Sequence, residues 1–534
     1  MNSQRHLILA LLLTIPDGTP SHGGVPEAQD TRREQHVLVD AGATPTDLNH
    51  RLWSGINAWV LANLESHDWL WPELHEKEGF RYARITTIFS EKHPIYREND
   101  GKITYDFEDP DRQLDVMIRR GYVPVISFNQ MPLALSNKPK EKPGSFVDSG
   151  GKAAPRDYAR WQDLVRETVV HWGRRYSKSD GGNQDVRTWY WEAWNEPNSG
   201  QFWSGSDEEF FRLYDFTSAG MIQAESILGK TLRFGGPAVS REGWKYLQAF
   251  FEHLQKGSAR CDFVSYHYYA IGGKNSEQLW KSLDGGAIAR SVQTLHDMMN
   301  RYPTLKDKPV LMTEWNIDGS ARYPGLHTEY AASFVPRIVK TLLEAKGMDL
   351  AFYSASYCQP FGHSVGGLGV YIFGWEVAKP NARAFELLHL LGTHRVPVTG
   401  SNREALDVPI GGLATTEPDR VVVLLYNHQD VPSENEADPG DARFSLDLRR
   451  LPFSASRARV EEYRIDREHA DSYAKWKELG SPKKPTQDQI RRLKEASRLA
   501  PREISIPLPS QGNDLTIQAH LPAYGVVMYV ITSR

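Results

Sequence analysis

From residue 52 onward, short apolar runs alternate with stretches whose apolar residues recur at helical spacing. The strand-like runs are LWSGINA (52–58), RYARITTI (81–88), VPVISFN (123–129), WYWEAWNE (189–196), RFGGPAV (233–239), DFVSYHYY (262–269), PVLMTEWN (309–316) and LAFYSASY (350–357). Runs this short, without polar–apolar alternation, suit strands buried on both faces. Between them, Leu114, Met117 and Ile118 keep a helical period, as do Ile288, Val292, Leu295 and Met299. Val335, Ile338, Val339, Leu342 and Leu343 do the same, and NARAFELLHLLG (381–392) closes the series at Gly392, a helix stop. Strand–helix units repeated in this way predict a closed (β/α)8 TIM barrel over 51–396. The competing reading, a doubly wound open sheet, expects a glycine-rich phosphate turn after its first strand. SGINAWV (54–60) is not such a turn.

Beyond residue 397 the helical period fades. VVVLLYNHQ (421–429), FSLDLRRL (444–451), ARVEEYRID (458–466), LTIQAHL (515–521) and GVVMYVIT (525–532) predict a β-sandwich over 397–534. HVLVDAG (36–42), within an N-terminal segment 36–50, offers that sandwich one more strand. The polar stretch 469–500 interrupts the strands as a helical excursion with Ile490, Leu493 and Leu499 as its packing residues. It either folds back on the body or reaches a neighbouring subunit, which leaves a homo-oligomer open. SENEADPGDA (433–442) is an acidic, turn-rich excursion. Two long loops follow strands of the barrel. The one at 131–155 is polar and reads as mobile. The one at 358–380 carries Phe361, Tyr371, Phe373 and Trp375, bulk enough to close one end of a cleft. At the N-terminus Arg5 precedes the apolar run Leu7–Ile15, and Pro and Gly follow. This order reads as a signal peptide over 1–22, and so as a secreted or periplasmic protein. The run is too short to span a bilayer.

Composition narrows the partners. The chain has 534 residues, too many for one ordinary core, and a formal net charge of −4. With no long block of like charge, neither a nucleic acid nor a membrane surface is an expected partner. The 15 tryptophans and 23 tyrosines would serve a sugar cleft, whose rings stack on pyranose faces, although large proteins also bury such rings. Cys261 and Cys358 make neither a disulfide framework nor a zinc site. No HExxH run is present, so no metal or cofactor is expected.

In a barrel of this kind, the C-terminal ends of the strands line the active site. Glu196 closes the fourth run and Glu314 lies near the end of the seventh. These ends face one another across the mouth. Two facing carboxyls are what glycoside hydrolysis with retention requires, one as proton donor and one as nucleophile. Asn195 is placed to bind a sugar hydroxyl. Trp191 and Trp194 would surround Glu196 with low polarity and favour its protonated form. His267 and Tyr269 point the same way by strand alternation, and the tyrosine is placed to orient Glu314. The competing readings are a turn carboxylate for Glu196 and a satisfied core histidine for His267. Trp315 and Trp375 are expected at the cleft, Trp375 as a stacking surface or else as a core residue.

WNEPN (194–198) and TEWN (313–316) are shared by a whole clan of barrel glycosidases. FNQMPLALS (128–136), HYY (267–269), GGLGVYIFGWEVAKPNARAFELLHLLG (366–392) and YRIDREHADSYAKWKELGSPKKPT (463–486) are more specific. Through them the chain, from about residue 50 to its end, resembles glycoside hydrolase family 39, which holds β-xylosidases and α-L-iduronidases. The resemblance implies a barrel plus sandwich, a retaining mechanism, Glu196 as acid/base and Glu314 as nucleophile. One departure stands out. Family members often carry Arg-Phe-His-Gly after the second strand, with the histidine lining the sugar subsite, and here Thr86 takes its place in RITTIF (84–89). A loop at 358–380 that closes one end of the cleft leaves a pocket for chain ends, so the expected activity is release of one or at most two sugars from the non-reducing end of a plant- or algal-type glycan, with an open groove and endo-cleavage as the alternative; β-xylosidase is the default through the resemblance. α-L-Iduronidase-like or arabinosidase-like activity, or a non-catalytic sugar-binding protein on the same scaffold, are the alternatives.

Overall fold

All eight strand-like runs pair in parallel into one closed barrel in the computed structural model of the chain. The structure describes residues 35–533 except 145–146, 241–242, 272–285, 363–366, 401–403, 405, 407–408, 430–439, 454–456 and 508–512. The leader expected over 1–22 and the acidic stretch up to residue 439 lie outside the described residues. In chain order the barrel strands are Gly55–Val60, Tyr82–Thr86, Val123–Ser127, Tyr190–Glu192, Arg233–Val239, Val264–Ile271, Val310–Asp318 and Leu350–Tyr353. The eighth pairs back on the first, with Phe352 opposite Gly55.

Each strand has two dry faces, which is why the sequence shows no alternation. Inside, Val125, Tyr190, Phe263, Leu311, Leu350 and Phe352 fill the floor of the barrel. Outside, Ile126, Trp191 and Met312 belong to the core shared with the surrounding helices. Helices follow the strands in turn. The first is short, Leu70–Pro72 running into Glu73–Lys77. The others are Glu108–Ile118, Tyr158–Arg175, Asp207–Leu228, Trp244–Lys256, Gly286–Met299, Glu329–Ala345 and Pro380–Leu390. The fourth begins with a reciprocal cap between Ser206 and Glu209, which fixes the exit of the loop that carries Glu196.

Two antiparallel-rich sheets flank the barrel. Val398–Gly400, Gln35–Asp40, Ala442–Arg449 and Leu515–Leu521 form one, and Gln35–Asp40 runs parallel to Ala442–Arg449. The other orders Thr46–Asp47, His394–Val396, Ile410–Glu417, Arg420–Asn427, Val526–Ser533, Arg457–Ile465 and Arg502–Pro507. Alternation divides this second sheet. Val421, Val423 and Leu425 face the first sheet, whereas Val422 and Leu424 pack into the core of the barrel. The polar stretch after residue 469 forms two helices, Ser472–Glu478 and Gln487–Ala496. They fold back on the eighth-strand loop of the same chain. The Ser472 hydroxyl donates to the Ala378 carbonyl (2.7 Å), and the Arg383 guanidinium donates to the Ser497 carbonyl (2.7 Å).

Candidate active site

Arg84 sits at the centre of the barrel mouth with its side chain fully buried. Its Nε donates to Glu192 (2.8 Å), one terminal nitrogen to Glu314 (2.7 Å) and the other to Asn195 Oδ1 (2.9 Å). Burying such a cation is costly unless every donor finds an acceptor, and here the acceptors come from three loops and strands. Thr313 also donates to Glu192 (3.0 Å), so Glu192 is a structural counter-ion rather than a reacting group. The chain leaves the fourth strand already at Glu192, and Glu196 lies four residues past it with φ at 44°. Its backbone N–H donates to the Ala238 carbonyl (2.9 Å), which anchors it to the fifth strand.

Glu314 comes into the mouth through a bulge. Tyr266 pairs with Met312 but His267 pairs with Glu314, so Thr313 is the extra residue. The bulge lets Thr313 and Glu314 both reach Arg84 and Glu192, where strict alternation would send one of them outward. Glu314 then accepts from Asn57 Nδ2 (3.0 Å), Arg84 (2.7 Å) and the Tyr269 hydroxyl (2.5 Å). Ser354 braces the same tyrosine hydroxyl at 3.1 Å. Burial pushes the Glu314 carboxyl upward, but the nearby His267 and Arg84 and the Tyr269 hydrogen bond outweigh it and hold the pKa below the ordinary value. Burial beside Glu314 raises the Tyr269 phenol well above its usual value, so it remains a donor. Glu196 is bound differently. His267 Nδ1 lies 2.8 Å from its Oε1 and 3.6 Å from Glu314 Oε2. An oxygen of each glutamate and a ring nitrogen of His267 fall within 4.8 Å of one another. Such a trio has the ligand types of a metal site. Arg84 binds one oxygen of Glu314 (2.7 Å), and His267 approaches the other (3.6 Å).

The structure therefore brings together Glu196, Glu314, Asn195, His267 and Tyr269. It sends two other expected residues, Trp315 and Trp375, elsewhere. Trp315 is buried on the outer side of the seventh strand, edge-on to Tyr353 (4.9 Å) and near Phe334 and Phe385. Trp375 is also buried, in a satellite core with Phe361, Trp476 and Leu493, so it offers no stacking surface. The aromatic bulk of the eighth-strand loop is thus committed to the helical excursion, and Phe373 alone of its four large rings is exposed. Thr86 is buried and spends its hydroxyl on the Trp59 carbonyl (3.1 Å). Trp191 and Trp194 likewise point away from Glu196, packing against Trp172 and Trp161 of the third helix. The loop at 131–155 is pinned rather than loose. Asp148 accepts from Ser90 and the Glu91 N–H at 2.8 Å each, and Leu135, Ala153 and Ala154 are buried. Both cysteines are buried free thiols. Sequence reasoning missed Arg84, Asn57, Glu192, Thr313 and Ser354. A signal existed for two of them, since an arginine and a glutamate inside doubly buried strands must find each other.

A closed (β/α)8 barrel with an ionised carboxylate and a second carboxyl this close at its C-terminal mouth is the framework of a retaining glycoside hydrolase. Comparison with known proteins makes the class specific. Residues 37–514 match the model for glycosyl hydrolases family 39, and the chain belongs to that family. It is 28% identical over 469 residues to a β-xylosidase of Caldicellulosiruptor saccharolyticus, covering 85% of this chain and 89% of that one. It is 24% identical over 477 residues to the α-L-iduronidase of Homo sapiens, covering 81% and 67%. Its fold matches the crystal structure of a monomeric β-xylosidase from Caulobacter crescentus CB15 with a TM-score of 0.79 at 22% identity, over 93% of this chain and 99% of that one.

Proposed function

We propose that the chain is an exported, exo-acting β-xylosidase-like enzyme that removes sugars from the non-reducing ends of a plant- or algal-type glycan. Glu314 is its nucleophile and Glu196 its acid/base. The observation that carries the roles is the unequal binding of the two carboxyls. Glu314 accepts from three donors and is kept ionised, ready to attack the anomeric carbon. Among the described residues, Glu196 has one ring nitrogen, that of His267, for a hydrogen-bond partner, which leaves an oxygen for the leaving group. In the first step Glu196 gives its proton to the glycosidic oxygen while Glu314 forms the glycosyl ester. In the second, Glu196 takes a proton from water, which displaces Glu314. Retaining pairs stand about 5–5.5 Å apart and inverting pairs about 6.5–9.5 Å. The closeness of the glutamate oxygens, within 4.8 Å, supports the shorter class. Asn195 accepts from Arg84 through its oxygen, which leaves its NH2 to donate to a sugar hydroxyl.

Exo action is supported by the depth of the pair, whose side chains are only 14% and 15% exposed. The β-xylosidase relatives support the sugar, and the apolar run Leu7–Ile15 after Arg5 supports export. A panel of aryl glycosides, with proton NMR of the first anomer released, tests the reading. Expected are turnover of the β-xyloside, a retained first product, and loss of activity in Glu314→Ala that azide restores with inversion. Glu196→Ala with azide should give the retained configuration. Turnover confined to α-L-iduronides or arabinosides would replace the substrate, and binding without any turnover would favour the sugar-binding alternative. An inverted first product would remove the mechanism.

A further inference from the structure

A buried cation with no acid beside it marks the eighth-strand loop. Lys379 is fully buried and makes no ion pair among the described residues. Its ammonium donates instead to the carbonyls of Gly367 (2.6 Å) and Gly369 (2.7 Å). Asn316, two residues past Glu314, donates to the carbonyl between them, that of Leu368 (3.0 Å). Three consecutive carbonyls are thus taken by two buried side chains, which offsets part of the cost of burying them. The turn they hold lies flush on the end of the eighth strand. The Val370 N–H donates to the Ala355 carbonyl (3.1 Å) and the Tyr371 N–H to that of Ser356 (3.3 Å). A Cβ on Gly369 would stand 2.0 Å from the Tyr357 carbonyl carbon. Asn316 also donates to the Ser354 carbonyl, and the Ser354 N–H donates to the carbonyl of Trp315 (3.0 Å). Both peptide groups of Ser354 are therefore fixed, with its hydroxyl 3.1 Å from that of Tyr269.

We infer that Ser354 is a positioning residue for the nucleophile: it donates its hydroxyl proton to the Tyr269 oxygen and so strengthens the hydrogen bond that Tyr269 gives Glu314. The inference rests on the role proposed above for Glu314. The direction of donation follows from counting protons. Tyr269 has one, and the charged oxygen at 2.5 Å takes it in preference to the neutral one at 3.1 Å. That leaves the phenol oxygen as an acceptor, and among the described residues the Ser354 hydroxyl meets no other group. The bond from Ser354 acts to lower the Tyr269 pKa, as a donor to the phenol oxygen does, against the larger rise from burial and Glu314. A hydroxyl that accepts one hydrogen bond donates a stronger one. The chain Ser354–Tyr269–Glu314 therefore favours the ionised carboxyl more than Tyr269 would alone. The other groups facing Glu314 are Asn57, Arg84, His267 and Glu196, and Ser354 makes no hydrogen bond to any of them.

The test is the pH profile of kcat/KM for the wild type, Ser354→Ala, Tyr269→Phe and the double variant. It is read on whichever aryl glycoside the wild type turns over, so a different sugar leaves it intact. Ser354→Ala removes one hydroxyl and keeps the backbone bonds that frame it, so the variant should fold. Expected is an acid limb about 0.3 pH unit higher than in the wild type, about 10–30% of the worth of a hydrogen bond to a charged group. Because Ser354 acts through the phenol, the same change made in Tyr269→Phe should move the limb no further. An unmoved or lowered limb in Ser354→Ala, or an equal shift in both backgrounds, would overturn the inference. A wild type inactive on every glycoside of the panel would instead overturn the catalytic reading, and this inference with it, before any variant is compared.

Discussion

At the scale of single residues, the site is a contest over one negative charge. Glu314 is mostly enclosed, and enclosure alone would favour its neutral form. Arg84, His267 and Tyr269 reverse that preference. The carboxyl must be ionised to attack, so activity is lost in acid as it takes up a proton. Tyr269→Phe removes a 2.5 Å hydrogen bond made to the ionised form. The Glu314 pKa must then rise, and the acid limb of the kcat/KM profile must move to higher pH. The loss at the optimum should be roughly tenfold or more, the worth of a hydrogen bond to a charged group. An unmoved acid limb would show that Tyr269 positions substrate rather than tuning Glu314. The residues legible beforehand were those carrying chemistry at strand ends, Glu196 and Glu314 with Asn195, His267 and Tyr269. Arg84 was harder to see because an arginine in an apolar run has meaning only once its partner is known.

At the scale of elements, the excursion at 472–496 acts as a clamp on the eighth-strand loop. Trp476 is buried, lies 5.4 Å from both Phe361 and Tyr473, and donates to the Pro482 carbonyl (3.0 Å). Trp476→Ala should lower stability by about 3–5 kcal/mol in urea unfolding, because a buried indole leaves a cavity that its ring neighbours cannot fill. Limited proteolysis should then cut within 358–380 before the barrel unfolds. A cost below about 1 kcal/mol would mean that the clamp is loosely seated. The second helix of this segment was readable from Ile490, Leu493 and Leu499, and in the structure Thr486 and Gln489 form a reciprocal cap at its start. The docking place of the segment was not readable, since strands of both sheets lie between Trp375 and Trp476 in sequence.

At the scale of the whole molecule, two enclosed acids tie the barrel to its additions. Glu78, after the first helix, accepts from the Tyr371 hydroxyl of the eighth-strand loop (2.8 Å) and lies 3.6 Å from Arg383 of the eighth helix. Burial, only partly offset by Arg383 and Tyr371, pushes it up to about 8. Asp471, which caps the helix Ser472–Glu478, is pushed up to about 7 by burial, despite its bonds to Ala474 and Tyr473. An acid whose folded pKa is raised binds its proton more tightly when folded. Stability is therefore greatest below the unfolded pKa and falls as pH rises through the folded one. For Glu78 that window runs from 4.5 to about 8. Melting temperature should fall across it in the wild type, and Glu78→Gln should flatten the fall, with the larger gain at pH 8. A variant that melts lower than the wild type at every pH would show that the charged pair with Arg383 outweighs the burial.

What the linear chain determined was everything set by local periodicity. Runs that are apolar on both sides can only be inner strands, and helical spacing between them can only cover the sheet, so the barrel and its closing order follow from the pattern. The strand ends then carry Glu196 and Glu314 to one mouth. What tertiary structure decided was every matter of direction. The bulge at Thr313 lets Thr313 and Glu314, neighbours in sequence, both face inward. The packing of the excursion turns Trp375 into core. Arg84 meets Glu192 and Glu314 at separations of 108 and 230 residues. Strand geometry repeats every two residues and is legible from neighbours alone. A one-residue bulge or a pair formed across a closed barrel depends on partners that only closure brings together.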